Sequence, residues 1–262
     1  MDLGIKGRVA LVTASSRGLG FACAKELASE GAVVILTSRN LKNLEHAAKA
    51  IKSDVENAEV HYYKLDLTVR ENIEEVFDKI KDDFGKLDIL VYSTGGPKPG
   101  KFLELSYEDW LEAFKIVGLS PVLVARRAAE LMIPQKWGRM VFIGSTTLVK
   151  PMLDIATSNI MRMPLVGLVR TLAIELAPYN ITVNAVLPSL ILTDRVKQIA
   201  YKRAKSQGKS VDEVLNDMAK TIPLGRIGEP HELAAVVAFL ASERASFITG
   251  ALIPIDGGKL LT

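Results

Sequence analysis

The chain has 262 residues, 48% of them apolar, which supplies one large core and suits a single α/β domain. Its 33 basic and 30 acidic side chains are interspersed and leave a net charge of +3, so nothing points to nucleic acid or a membrane surface as partner. The single cysteine, Cys23, excludes an intrachain disulfide and fits a reducing cytoplasm, and with the three histidines (His46, His61, His231) far apart there is no ligand spacing for a metal.

The first residues lack a basic segment followed by an apolar one, and no apolar run approaches the ~20 residues of a membrane span. A cytoplasmic protein is expected.

In chain order, β-branched runs fall at 9–13, 33–36, 60–63, 89–92, 140–143, 182–186 and 252–255, and stretches of helical period lie between them, the first three at 18–30, 41–53 and 70–84. Seven apolar strands alternating with helices predict a doubly wound parallel sheet, a Rossmann-type single domain over 1–262. No Pro/Gly/Ser-rich linker or repeat interrupts it. The one departure is 194–219, polar and rich in Lys and Arg (Arg195, Lys197, Lys202, Arg203, Lys205, Lys209). It leaves the carboxyl end of a strand, where such sheets bind ligands, and is read as a helical lid.

The first strand is followed by Thr13-Ala14-Ser15-Ser16-Arg17-Gly18-Leu19-Gly20. Gly18 and Gly20 open a helix whose first amides and dipole can hold a diphosphate, and glycine permits close backbone approach. The second strand ends Leu36-Thr37-Ser38-Arg39-Asn40, without the acid that would bind a free ribose 2′-hydroxyl; Arg39, with Ser38 and Arg17, can instead bind a 2′-phosphate. NADP is the expected cofactor, NAD the alternative.

Further along come Asp66-Leu67, Ser93-Thr94-Gly95-Gly96, a segment 181–193 containing Pro188, Ile191 and Thr193, Pro223-Leu224-Gly225-Arg226 with Glu229-Pro230, and Asp256-Gly257-Gly258. With these motifs in order the chain resembles the short-chain dehydrogenase/reductase family over its whole length. The resemblance implies that Thr13, Ser15, Ser16, Arg17, Gly18, Leu19 and Gly20 cradle the cofactor phosphates. Asp66 and Leu67 would face the adenine, Ser93 to Gly96 the adenosine, and Pro188, Ile191 and Thr193 the nicotinamide carboxamide. The family carries glycine where this chain has Ala14, which is tolerable if that residue keeps a negative φ.

The family's Tyr-x-x-x-Lys pair is replaced. Residues 165–177 match the family helix without a gap and put Ser158 and Arg162 in the tyrosine and lysine slots, leaving Ser145 as the recognisable member of the catalytic set. No tyrosine occurs between Tyr107 and Tyr179, and Val117 or Gly118 stands where the family's asparagine would fall. Arg162, one turn from Ser158 on the same helix face, can hold ribose hydroxyls or a carboxylate but does not exchange protons; Lys150, Asp154 or water remain as proton sources.

Pro164 falls inside the predicted helix 155–177 and should kink it or delay its start. The resemblance further implies a homotetramer assembled through helices 121–135 and 155–177. The expected activity is hydride transfer between NADP(H) and a carbonyl or alcohol of a small molecule, the alternative a nucleotide-binding protein without turnover.

Overall fold

A computed structural model describes residues 2–262. In chain order it contains β1 (Val9–Val12), α1 (Gly18–Ser29), β2 (Val33–Ser38), α2 (Leu41–Asp54), β3 (Val60–Lys64), α3 (Arg70–Phe84), β4 (Ile89–Tyr92) and α4 (Tyr107–Ala113). A π-helical turn (Phe114–Leu119) leads into α5 (Ser120–Met132), followed by β5 (Gly138–Ile143), α6 (Ala156–Met161), α7 (Pro164–Glu175), β6 (Ile181–Pro188), α8 (Asp194–Gln207), α9 (Val211–Lys220), α10 (Pro230–Leu240) and β7 (Leu252–Ile255).

The strands form one parallel sheet in the order β3-β2-β1-β4-β5-β6-β7. Every residue of β1, β4, β5 and β6 is buried, because helices cover both faces of the sheet; this is why these strands read as unbroken apolar runs. Edge strand β3 alternates between half-buried and exposed after the buried Val60, and the other edge, β7, accommodates Pro254 without loss of a central ladder bond.

One face packs α1, α2 and α10 through Cys23, Leu27, Leu44, Ile51, Leu233 and Val237. The other packs α3, α5 and α7 through Phe77, Ile80, Val124, Met132, Leu165 and Val169. At the opposite end from the ligand crevice, the fully buried Asp88 accepts from the Val9 amide (2.8 Å) and pairs with Arg8 and Lys86, pinning β4 to β1.

Between β1 and β4 the winding reverses, so the loops after these two strands flank a crevice at the carboxyl edge. The predicted helix 155–177 is two helices: α6 ends at Met161, and Pro164 is at the first position of α7, where its missing N–H costs nothing. The segment expected to be a lid is likewise a pair of helices, α8 and α9, turning at Gly208 (φ 65°) and restarting on a Ser210–Glu213 capping box. Val196, Ala200, Ala204, Val214 and Met218 give it a small core of its own. No helix among the described residues is long and apolar enough to cross a membrane.

Candidate active site

The turn after β1 is fastened on both sides. Thr13 Oγ1 donates to the Ser93 carbonyl (2.5 Å) and accepts from the Ser93 amide (2.8 Å), locking the β1 turn to the loop after β4. The Ser15 hydroxyl donates to Val12 O (2.8 Å) and accepts from the Thr37 amide (3.0 Å). Both hydroxyls are buried and committed to the protein, so Thr13 and Ser15 shape the cradle while the neighbouring half-buried Ser16 and exposed Arg17 face outward.

Gly20 is required by packing, since a Cβ there would fall 2.7 Å from the Ala14 carbonyl oxygen. Ala14 itself departs from expectation. Its φ is +47°, not negative, so the residue replacing the family's glycine sits in the left-handed region that disfavours a Cβ.

The amino end of α1 fits a dinucleotide. Arg17, its N-cap, offers no side-chain acceptor, leaving the first amides of the helix and its dipole available to phosphate oxygens. Thr94, in the loop after β4, keeps its Oγ1 buried close to the Tyr92 hydroxyl, and Leu19 is half-buried beside the turn.

At the end of β2 the Ser38 hydroxyl holds the turn through Asn40, and Arg39 is exposed. Asp66 Oδ1 accepts from the Thr68 amide (2.9 Å) and hydroxyl (2.7 Å), which fixes the carboxylate, while Leu67 is buried beneath it.

The start of α8 lies close to both loops. Thr193, the N-cap of α8, makes no capping bond with its side chain, and its Cγ2 would stand 4.0 Å from a Cβ on Gly18. Farther up the same helix, Arg195 lays its guanidinium against Gly96, where an added Cβ would meet Nη1 at 2.6 Å. Behind Gly95 and Gly96, β6 ends at Pro188, and Ile191 bridges to Gly228 at the base of the lid.

On the substrate side, Ser145 follows β5 and caps a short 3₁₀ turn, its Oγ accepting from the Thr147 amide (3.2 Å). Beside it a cavity of about 240 Å³ is lined by Thr146, Lys150, Pro151, Met152, Thr221 and Lys259 among others. Of the proton sources considered, Lys150 lines this cavity and donates to the Thr262 main-chain oxygen; Asp154 is exposed in a left-handed turn (φ 62°).

Ser158 and Arg162 are brought together as their spacing predicts, with Arg162 Nε donating to Ser158 Oγ (3.3 Å) at the end of α6. Arg162 is not a surface residue: it is 8% exposed, and burial pulls its pKa below the ordinary arginine value.

Tyr92 is a polar group that sequence reasoning missed. Its hydroxyl shares a 2.6 Å hydrogen bond with Ser120 Oγ, and both lie on the Ile116 carbonyl (3.0 and 2.8 Å) inside the π-helical turn. Burial raises its pKa to about 12, against the pull of Ser120 and of the Arg162 charge. An aromatic closing an apolar strand reads as core, and only the Tyr92 to Ser120 pairing across the fold reveals a polar group there. In the same turn, a Cβ on Gly118 would meet the Phe114 ring at 2.9 Å and the Met161 carbonyl at 3.2 Å.

Comparison with known proteins agrees with this geometry. Residues 13–259 match the family profile described as enoyl-(acyl carrier protein) reductase. The chain is 36% identical to the 3-oxoacyl-[acyl-carrier-protein] reductase FabG of Aquifex aeolicus, over 98% of this chain and 99% of that one. It is 33% identical to the NADPH-dependent reductase BacG of Bacillus subtilis, over 97% and 98%. The structure superposes on L-sorbose reductase from Gluconobacter frateurii, solved with NADPH and L-sorbose, with a TM-score of 0.96 at 32% identity and full coverage of both chains. With the sheet order, the glycine turn and the crevice all in place, the chain belongs to the short-chain dehydrogenase/reductase family.

Proposed function

We propose that this protein is an NADPH-dependent reductase of a small-molecule carbonyl, working with an altered proton-transfer set. The observation that carries the reading is the crevice at the carboxyl edge of the sheet, where the glycine turn is locked to the loop after β4 and α8 lies against both. NADPH-binding relatives support the choice of cofactor. The absence of an acid after β2, with Arg39 exposed there, supports it independently, because a carboxylate at that point would repel a 2′-phosphate. A nucleotide-binding protein without turnover, the alternative, gains no support from the relatives.

Bound NADPH supplies the hydride; the residues of the chain do the rest. The α1 amides and Gly18 hold the diphosphate, Arg39 and Ser38 the 2′-phosphate, Asp66 the adenine edge. Ser145 donates a hydrogen bond to the carbonyl oxygen and orients it. Arg162, its guanidinium held by Ser158, anchors the nicotinamide ribose or an anionic group of the substrate. Neither Ser158 nor Arg162 gives up a proton near neutral pH, so the oxygen takes its proton from water. A missing positioned acid typically lowers the rate by ~10²–10⁴, and slow turnover is expected.

Titration with both nucleotides tests the cofactor assignment. Arg39→Ala should weaken NADPH by ~1–3 kcal/mol and leave NADH unchanged. Equal affinity for the two nucleotides in the unmodified protein, or no change in the variant, refutes it. Oxidation of NADPH followed against a panel of ketones and aldehydes tests turnover itself.

A further inference from the structure

Arg162 is a buried cation without an anion. It is 8% exposed, and the only hydrogen bond its side chain makes among the described residues is the 3.3 Å contact from Nε to Ser158 Oγ. The charged or ionisable groups that bear on it are Tyr92 and a second guanidinium, Arg195, whose like charge adds to the unfavourable effect of burial. None of the ion pairs among the described residues uses either arginine. Arg195 comes from α8 and lies against Gly96, in the loop that follows Tyr92, the other group that bears on Arg162.

Burying a charge without a partner is costly, and two like charges facing one space make it worse; an oxyanion between them reverses both penalties. A guanidinium fork matches a carboxylate through two parallel hydrogen bonds.

We propose that Arg162 and Arg195 form a two-guanidinium seat for a carboxylate carried by the substrate near its reacting carbonyl, so that the physiological substrate is an oxo acid. This rests on the reading of the chain as an NADPH-dependent carbonyl reductase. The other oxyanion available is the cofactor's own diphosphate. That group already has the uncapped amino end of α1, whereas Arg162 belongs to the Ser145 and Ser158 side of the crevice. Arg195 sits on an exposed helix face, so its replacement leaves the fold intact.

The test uses the full chain in complex with NADPH. 2-Oxo, 3-oxo and 4-oxo carboxylates are compared with their primary amides as substrates. Unreactive alkanoates of matching length are compared with alkanamides as ligands, read by NADPH fluorescence. One acid should exceed its amide by about tenfold or more in kcat/KM, and the alkanoate of that length should bind with the same preference. Arg195→Ala should remove most of that preference while NADPH affinity stays within about twofold.

Equal use of acid and amide sinks the proposal while leaving the reductase reading intact. So does an Arg195→Ala variant that keeps the acid preference and loses about tenfold in NADPH affinity, because the seat then belongs to the diphosphate. If no carbonyl is reduced, the reductase reading fails, and the alkanoate titration still decides whether the seat exists.

Discussion

Ala14 holds a backbone conformation that its side chain resists. A non-glycine residue at φ +47° costs about 1–2 kcal/mol relative to glycine in the folded state, while glycine gives back about 0.4–1 kcal/mol through the entropy of the unfolded chain. Ala14→Gly should therefore raise stability by about 0.5–1 kcal/mol, seen as a higher denaturation midpoint with an unchanged slope. A lower midpoint contradicts this. The paired exchange Ser158→Tyr with Arg162→Lys probes the replaced chemistry directly. If the scaffold is otherwise intact, carbonyl reduction with NADPH should rise about tenfold or more, equivalent to roughly 1.4 kcal/mol of barrier. An unmodified protein that turns over briskly, together with an Arg162→Ala variant of unchanged rate and cofactor affinity, would place the chemistry elsewhere.

Among the elements, α10 shows how a charge pair secures the base of the lid. Glu232 accepts from the Glu229 amide (2.7 Å) and pairs through both oxygens with Arg226 (2.8 and 2.6 Å), next to Gly228, which bridges to Ile191. The Arg226 guanidinium and the helix amide lower the Glu232 pKa to about 2. A carboxylate with a depressed folded pKa stabilises above its unfolded value of about 4.3, and that contribution fades as pH falls toward 2. Glu232→Gln should lower stability at neutral pH by less than about 1 kcal/mol, since the pair is solvent-screened, and flatten the acid limb of the stability profile between those two values. An acid limb unchanged by the substitution would show that the pair contributes nothing.

The elements were legible where one physical pattern dominated: the buried runs of β1, β4, β5 and β6, the helical period of α3, and Pro164 as a helix start. The site was legible where a spacing carries geometry, as Ser158 and Arg162 do across one helical turn. The sign of φ at Ala14 is set by how the turn threads between β1 and α1, which no local pattern encodes. The Tyr92 to Ser120 bond joins residues that only the packing of α5 against the sheet brings together.

For the whole molecule, α7 and the start of α5 leave apolar side chains on their outward faces. Ile174 on α7 is 77% exposed, and Val122 and Leu119 at α5 are also open to solvent. Buried against a two-fold related copy, such faces would assemble the homotetramer that the family resemblance implies. Sedimentation at micromolar concentration should give four chains per particle, and Ile174→Arg should shift the distribution to smaller species. A monomer before substitution removes the basis for this assembly.

The glycine in the π-helical turn bears on the direction in which this protein can change. With the Phe114 ring and the Met161 carbonyl so close, position 118 has room for a hydrogen and nothing larger unless the seam between that turn and α6 opens. On the proposed reading, a tyrosine and lysine at 158 and 162 take two exchanges on one helix, but an amide side chain, if it falls at 118 rather than 117, must also push apart packed atoms. The order of steps then matters: the seam has to loosen before the relay residue can enter, and a loosened seam brings no benefit until it does. If the proposed change of active site holds, it would behave as a ratchet, held by van der Waals contact at Gly118.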